Sequence, residues 1–235
     1  MKKLIILFFA ALLTMFSSCF ARIDGTIEEG GAAVFNIRTS LGPSTSVLIR
    51  SLGVGLGMAE GGLILDGHEI SESMALAPGI SSVILQNTDP FALEGSISVS
   101  RVGDFLRSGG SETGFISFSE GAASSSMVIN MSLESAPALI SAFSPEAEAY
   151  LEALMAPAVT GEVLNKREYI SLVSSIYGRD IAEEISEARI MVYIQFPRQI
   201  RSVLGGQFSG RQAQFDIPLL DLLVLEEPLR YEVNW

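Results

Sequence analysis

The chain has 235 residues, of which 48% are hydrophobic and 18% are charged. This composition excludes a disordered chain, which would be poor in apolar residues and rich in charge. The formal net charge of −12 excludes a basic surface that follows nucleic-acid phosphates, so we expect no nucleic-acid partner. With one histidine and one cysteine, the chain lacks the ligands of a zinc site and the pairs of a disulfide framework, and we expect no metal and no cofactor.

The N-terminus has the plan of a secretory signal peptide. Lys2 and Lys3 precede an apolar run over residues 4–16, broken only by Thr14. This run is shorter than the roughly 20 apolar residues that a membrane-spanning helix needs. The sequence therefore predicts a signal peptide over residues 1–18.

Two small residues and the cysteine follow the apolar run, as Phe16-Ser17-Ser18-Cys19. This motif resembles the lipobox of bacterial lipoproteins, in which an aliphatic residue and two small residues precede cysteine. Phe16 departs from the aliphatic preference, and relaxed lipoboxes of this kind resemble those of spirochaetal lipoproteins. The resemblance implies that Cys19 carries diacylglycerol, with palmitate-type chains, at a lipidated N-terminus of residues 19–21. An ordinary signal peptide with a cysteine near its cleavage site is the alternative.

Cleavage before the cysteine would leave 217 residues without any other cysteine and with a net charge of −14, because both N-terminal lysines are lost. The resemblance places the protein in the bacterial cell envelope, anchored to a membrane and facing the periplasm or the exterior. The fold must then be stabilised by its core alone, because it cannot form a disulfide.

The first half of the chain has a run of strands followed by a run of helices. Residues Ile23–Ile27 and Ala33–Thr39 alternate apolar and polar side chains around a glycine turn, which predicts a β-hairpin. A helix-like segment at 43–52 and a helix start within 65–71 follow. The alternation returns at Ser96–Ser100, which predicts another strand.

The second half has a similar set of strands. Residues Phe115–Ser119 and Ser125–Leu133 predict a second hairpin, and Arg189–Phe196 predicts a strand that ends at a proline. Segment 213–217 follows, and 229–235 predicts a last alternating strand.

Helices are predicted between these strands. Segment 144–154 begins with serine, proline and acidic residues, which favour a helix N-terminus. Segment 166–178 places four apolar side chains on one face, and 179–185 continues as a short helix. Segment 218–225 is an apolar turn or short helix. The four side chains on the face of 166–178 are Tyr169, Leu172, Val173 and Ile176.

Four pairs of similar segments occur in the same order in the two halves, at offsets of about 92 to 99 residues. They predict an internal duplication of a β-β-α-α-α-β unit, with a first α+β repeat at 22–110 and a second at 114–235. The fold class is α+β, with antiparallel β-hairpins and helices packed on one face. Either both hairpins join a single sheet in one continuous domain, or two domains divide near 108–113.

Few residues indicate chemistry. Four arginines without a nearby acid, within residues 188–215, are a possible anion patch, although a solvated face is the simpler interpretation. The single histidine, His68, is expected to be an exposed turn residue. The glycines at 53–62 lack the strand–turn–helix context of a nucleotide site. The four arginines are Arg189, Arg198, Arg201 and Arg211.

The expected function is a lipid-anchored envelope module without enzymatic activity that has a structural role or binds a partner, such as a protein of the envelope. The alternative is a carrier or sensor of a hydrophobic ligand or lipid. Two apolar stretches, 44–58 and 217–225, could line its pocket, although core packing explains them more simply.

Overall fold

A computed structural model of the chain describes residues 19–55, 66–77, 79–108, 116–121, 124–136 and 164–235. These residues form two β-sheets with helices, which confirms the α+β class. The strands are β1 (Cys19–Ile27), β2 (Ala33–Ser40), β3 (Ile80–Asp89), β4 (Ala92–Val99), β5 (Ile116–Ser119), β6 (Ser126–Met131), β7 (Arg189–Gln195), β8 (Ser202–Leu204), β9 (Gln207–Ser209), β10 (Gln212–Pro218) and β11 (Leu229–Asn234). The helices are α1 (Pro43–Gly55), α2 (Gly67–Ala75), α3 (Val102–Ser108), α4 (Lys166–Tyr177), α5 (Arg179–Glu187) and α6 (Leu219–Val224).

The larger sheet has seven strands in the order β3-β4-β2-β1-β7-β10-β9. The predicted hairpin of β1 and β2 is confirmed, and its turn contains Gly30 and Gly31 with φ of 90° and 81°. On its other side β1 pairs with β7 in parallel, with Ile23 opposite Val192. All other neighbours in this sheet are antiparallel. The β1–β7 pair therefore joins both halves of the chain in one sheet.

The second predicted hairpin, β5 and β6, lies in a separate four-stranded sheet of order β5-β6-β11-β8. The expectation that both hairpins join a single sheet is wrong, because β6 pairs with the C-terminal strand β11 rather than with the first hairpin. The inward faces of the two sheets share one core, in which Phe196, Val233 and Trp235 are almost fully buried. The predicted boundary between the two sequence repeats, at residues 110–114, does not separate two cores, because this core contains residues from both sides of it.

A second core lies among helices α1, α4, α5 and α6, with buried side chains such as Leu48, Ile185 and Leu223. Helix α4 begins at a capping box, in which the Asn165 side chain accepts from the Glu168 amide and the Glu168 carboxylate accepts from the Asn165 amide. The predicted helix at 166–178 is confirmed. The apolar stretch at 217–225 packs in this core, as the simpler interpretation expected.

The buried face of α4 is narrower than predicted. Tyr169 and Val173 are buried, but Leu172 and Ile176 are 42% and 60% exposed. Among the described elements, α5 and α6 contact the side of the helix that carries Tyr169 and Val173, and they leave Leu172 and Ile176 exposed.

Strand β3 was not predicted, and it changes the order of elements in the first half. After α2 the chain forms the antiparallel pair β3–β4 rather than a third helix, so the first half reads β-β-α-α-β-β-α and departs from the proposed unit. The predicted signal peptide 1–18 and helix 144–154 lie outside the described residues. The segments 53–62 and 108–113 lie partly outside them.

Candidate functional site

The strand that carries the predicted lipidation residue is in the middle of the seven-stranded sheet. Cys19 is the first residue of β1 and lies opposite Arg189 of β7, with a register shift before Ala21. The backbone ladder with β2 begins at the pair Ala21–Thr39. The proposed lipid attachment point is therefore joined to the sheet without an intervening linker.

The outward face of the seven-stranded sheet is polar. Alternate residues of each strand point inward to the core, so the side chains between them face away from it. In one row across the sheet, Met191, Arg22, Arg38, Glu94 and Gln86 are neighbours in register. The next row is Tyr193, Asp24, Asn36, Ser96 and Ile84. The side chain of Arg38 is 74% exposed and Ile84 is 64% exposed, so the face is open to solvent at these positions.

The residues of these rows on strands β1, β2, β4 and β3 line a groove of about 460 Å³. We call it the polar groove. Its lining residues are Arg22, Asp24, Asn36, Ile37, Arg38, Ile84, Gln86, Glu94, Gly95 and Ser96.

Arg22 is held in place from two sides. Its Nε and Nη2 donate to the two Asp24 carboxylate oxygens at 2.8 and 2.9 Å, and its guanidinium carbon lies 4.5 Å from the centre of the Tyr193 ring. The hydrogen bond from Arg22 is the largest effect on Asp24 and, with the charges of Arg22 and Arg38, lowers the pKa of that carboxyl despite a smaller opposing effect of burial. Asp24 is therefore ionised at neutral pH, and the pair is neutral overall.

A second pair crosses the groove. Arg38 Nε lies 3.6 Å from a Glu94 oxygen, and Gln86 Nε2 donates to the other Glu94 oxygen at 3.3 Å. The two cations and two anions of the groove balance each other. The groove therefore presents alternating hydrogen-bond donors and acceptors rather than a field of one sign.

A smaller cleft of about 220 Å³ lies at the C-terminal end of β1, the end away from Cys19. Its floor includes the Trp235 ring, 4.5 Å from the Phe196 ring centre. Arg198 Nη2 donates to the buried Ser125 hydroxyl at 2.7 Å and to the Gly121 carbonyl at 3.2 Å. These bonds connect the loop after β7 with the turn before β6, so the cleft is a joint between the two sheets.

The chain matches no protein-family model and no curated protein. A search of solved structures finds the folded domain of LppM from Mycobacterium tuberculosis, determined by NMR. The two chains are 12% identical with a TM-score of 0.40, and the match covers 91% of this chain and 86% of that one. A TM-score this low supports no argument about function.

The structure separates Arg189 from the other three predicted arginines. Arg189 lies at the start of β7 and pairs with Asp216 at 3.2 Å. The other three lie beyond the far end of β7: Arg198 and Arg201 are in the loop that follows it, and Arg211 Nη1 donates to the Pro197 carbonyl in the same loop.

His68 is at the start of α2, where its Nε2 lies 3.4 Å from a Glu72 oxygen one turn along the same helix. Its side chain is 84% exposed. In the described parts of the chain, no group of three or more His, Cys, Asp and Glu side chains could hold a metal ion, and no helix is long and apolar enough to span a membrane.

The polar groove was not predicted from the sequence. Its residues belong to four strands that are up to about 70 positions apart, and only the strand register brings them together. The polar positions of the alternating strands, such as Arg22 and Asp24 or Asn36 and Arg38, could have indicated a polar sheet face.

Proposed function

We propose that this protein is a lipid-anchored protein of the bacterial cell envelope that binds a partner without catalysing a reaction. The lipobox-like Phe16-Ser17-Ser18-Cys19 supports the anchor. The polar groove is the observation that carries the binding role. A solvent-exposed sheet face with fixed, mutually neutralising ion pairs suits a polar partner surface of low net charge.

The anchor is tested by labelling with radioactive palmitate and by measuring the mass of the N-terminal peptide. The chain should incorporate label and begin at Cys19, and the Cys19→Ala variant should lose the label completely, because no other cysteine is present. A Cys19→Ala variant that keeps the label, or a wild-type chain that never acquires it, would refute lipidation at this residue.

The binding role is tested by site-specific photo-crosslinking in the envelope. A photoreactive amino acid at Asn36, in the groove, should give a discrete crosslinked product. The same amino acid at Gln212 serves as the control, because this residue lies on the same sheet face outside the groove. Equal products from both positions, or none from Asn36, would contradict a partner at the groove.

Charge reversal sharpens this test. Arg38→Glu places two carboxylates side by side in the groove and should abolish the Asn36 product. The double variant Arg38→Glu/Glu94→Arg restores the opposite charges and should restore the product. A product that ignores both changes would show that the groove pairs do not contact the partner.

The absence of an enzymatic role is part of the proposal. His68 is on the surface and faces only a carboxylate of its own helix, which is an ordinary surface contact. His68→Ala should leave the crosslinked product at Asn36 unchanged. Loss of this product would indicate a role for His68. The carrier of a hydrophobic ligand remains a prediction: the two cavities named above, which lie in the described part of the chain, have charged residues in their linings and do not favour it.

A further inference from the structure

Several strands of the seven-stranded sheet end close to the point where β1 begins. The register places Cys19 opposite Arg189 at the start of β7, and Ser40 opposite Ala92 at the turn between β3 and β4. We propose, on the basis of the lipid anchor proposed above, that this end of the sheet rests on the membrane and that the exposed face of helix α1 contacts the lipid headgroups.

Helix α1 is attached to this end by two contacts. The amide of Leu41, just before the helix, donates to the Phe91 carbonyl in the β3–β4 turn at 3.0 Å. Two turns into the helix, the Arg50 guanidinium lies 4.9 Å from the centre of the Phe91 ring. The helix is therefore next to the strand ends that surround the lipidation residue.

The exposed face of α1 suits the headgroup region. Leu48 and Ile49 are buried towards the protein, whereas Val47 is 64% exposed and shares its outward face with Arg50 and Ser51. An apolar side chain beside an arginine is the combination that lies in a membrane interface, with the apolar group inserted and the guanidinium at phosphate level. The occupant of this face is the lipid surface itself.

The absence of a linker fixes the orientation. A flexible tether would let the domain tumble, but β1 is in the sheet from Cys19 onward and is paired on both sides from Ala21. The strand rises about 3.3 Å per residue, so Ile27 at its other end is roughly 26 Å from the lipid. The cleft that holds Trp235 is at that distant end.

Because the protein is strongly acidic, attraction to anionic lipid does not drive this contact. The acyl chains hold the protein at the surface, and α1 adds a local contact that needs no particular headgroup charge. Phosphatidylcholine vesicles are therefore a sufficient probe.

The experiment uses the full-length lipidated protein in phosphatidylcholine vesicles with and without brominated acyl chains, which quench nearby tryptophan. Trp235 is the single native tryptophan and serves as an internal reference in every sample. The test variant is Val47→Trp, with Ser51→Trp as a second position on the same helix face. The control is Glu29→Trp, which is exposed in the turn after β1 at the other end of the strand.

Brominated lipid should reduce the added fluorescence of Val47→Trp about twofold, as expected for a side chain at the headgroup boundary. It should leave Glu29→Trp and Trp235 unchanged. Vesicle flotation separates the two proposals: a chain that does not float lacks the anchor, and the proposed function fails with it. A chain that floats but shows no quenching at residues 47 and 51, or equal quenching at residue 29, keeps its anchor and overturns the orientation.

Discussion

The Glu184 carboxylate of α5 caps the N-terminus of α1, and its removal should destabilise the protein measurably. Its two oxygens accept hydrogen bonds from the Ser44 amide at 2.9 Å, the Thr45 amide at 2.8 Å and the Thr45 hydroxyl at 2.9 Å. Such a cap satisfies helix amides that have no partner within the helix and opposes the helix dipole. Gly42 makes room for it, because a Cβ at this position would collide with the carboxylate.

Glu184→Gln keeps the shape of the side chain but replaces one accepting oxygen with an NH₂ group that faces donors. Hydrogen bonds to a charged group contribute roughly 1.5–3 kcal/mol, so we expect a loss of about 2 kcal/mol in the free energy of unfolding. For a protein of this size, that loss lowers Tm by about 4–8 °C. Urea unfolding and thermal melting followed by circular dichroism both measure it.

Glu183→Gln is the matched control, because Glu183 is the neighbouring residue and is exposed. Surface substitutions of this kind change stability by about 0.5 kcal/mol or less. Equal stability losses in the two variants would refute the capping role, because the same charge would then be lost with the same effect at a position that caps nothing.

The cap also has a pH signature. Burial alone would raise the pKa of Glu184, but the hydrogen bonds from Ser44 and Thr45 together outweigh it and hold the pKa below its ordinary value of 4.5. The folded state therefore binds this proton less readily than the unfolded state does. The stabilisation is complete above about pH 4.5 and is lost as the pH falls through the lower folded-state pKa. The difference between wild type and Glu184→Gln should shrink over that acidic range, and a difference that stays constant would contradict the charge-based cap.

Three further predictions concern stability in urea. Asn165→Ala removes the side-chain half of the α4 capping box and should cost about 1 kcal/mol, whereas an unchanged midpoint would show that the Asn165 side chain contributes nothing to the cap. Gly205→Ala should cost more than Gly210→Ala: both have positive φ, but only at Gly205 would a Cβ meet a backbone oxygen, at 2.7 Å, so equal losses would refute the steric argument. Ser125→Ala should cost about 1–3 kcal/mol, because it removes the acceptor of the 2.7 Å bond from Arg198, and a neutral result would mean that Arg198 finds another partner.

Local patterns predicted those elements that local interactions stabilise. The helix at 166–178 was predictable because its cap residues, Asn165 and Glu168, are three positions apart and an apolar stripe follows them. Strand β7 was predictable because five consecutive apolar residues, 190–194, end shortly before a proline. Strand β3 was not, because its apolar run has only three residues, Val83, Ile84 and Leu85, and polar residues flank it on both sides.

Pairing across long distances was not predictable. The parallel contact of β1 with β7 joins residues about 170 positions apart, and no local pattern encodes it. The polar groove depends on the same kind of information. Asn36 and Ser96 are neighbours only because β2 and β4 pair in one register, and a shift of β4 by one residue would turn Ser96 inward.

The position of β1 gives the proposed anchor a mechanical consequence. With a lipid on Cys19, a force that pulls the protein away from the membrane would act along β1. This strand pairs with β2 on one side and with β7 on the other. Terminal segments at the edge of a fold fray at little cost, but a central strand opens only when both ladders break. Phe35 and Ile194 also pack beside Gly25 of this strand, so its release would disrupt the main core. A lipid on Cys19 would therefore hold the folded domain directly at the membrane surface, because β1 cannot unravel into a longer tether without breaking both ladders.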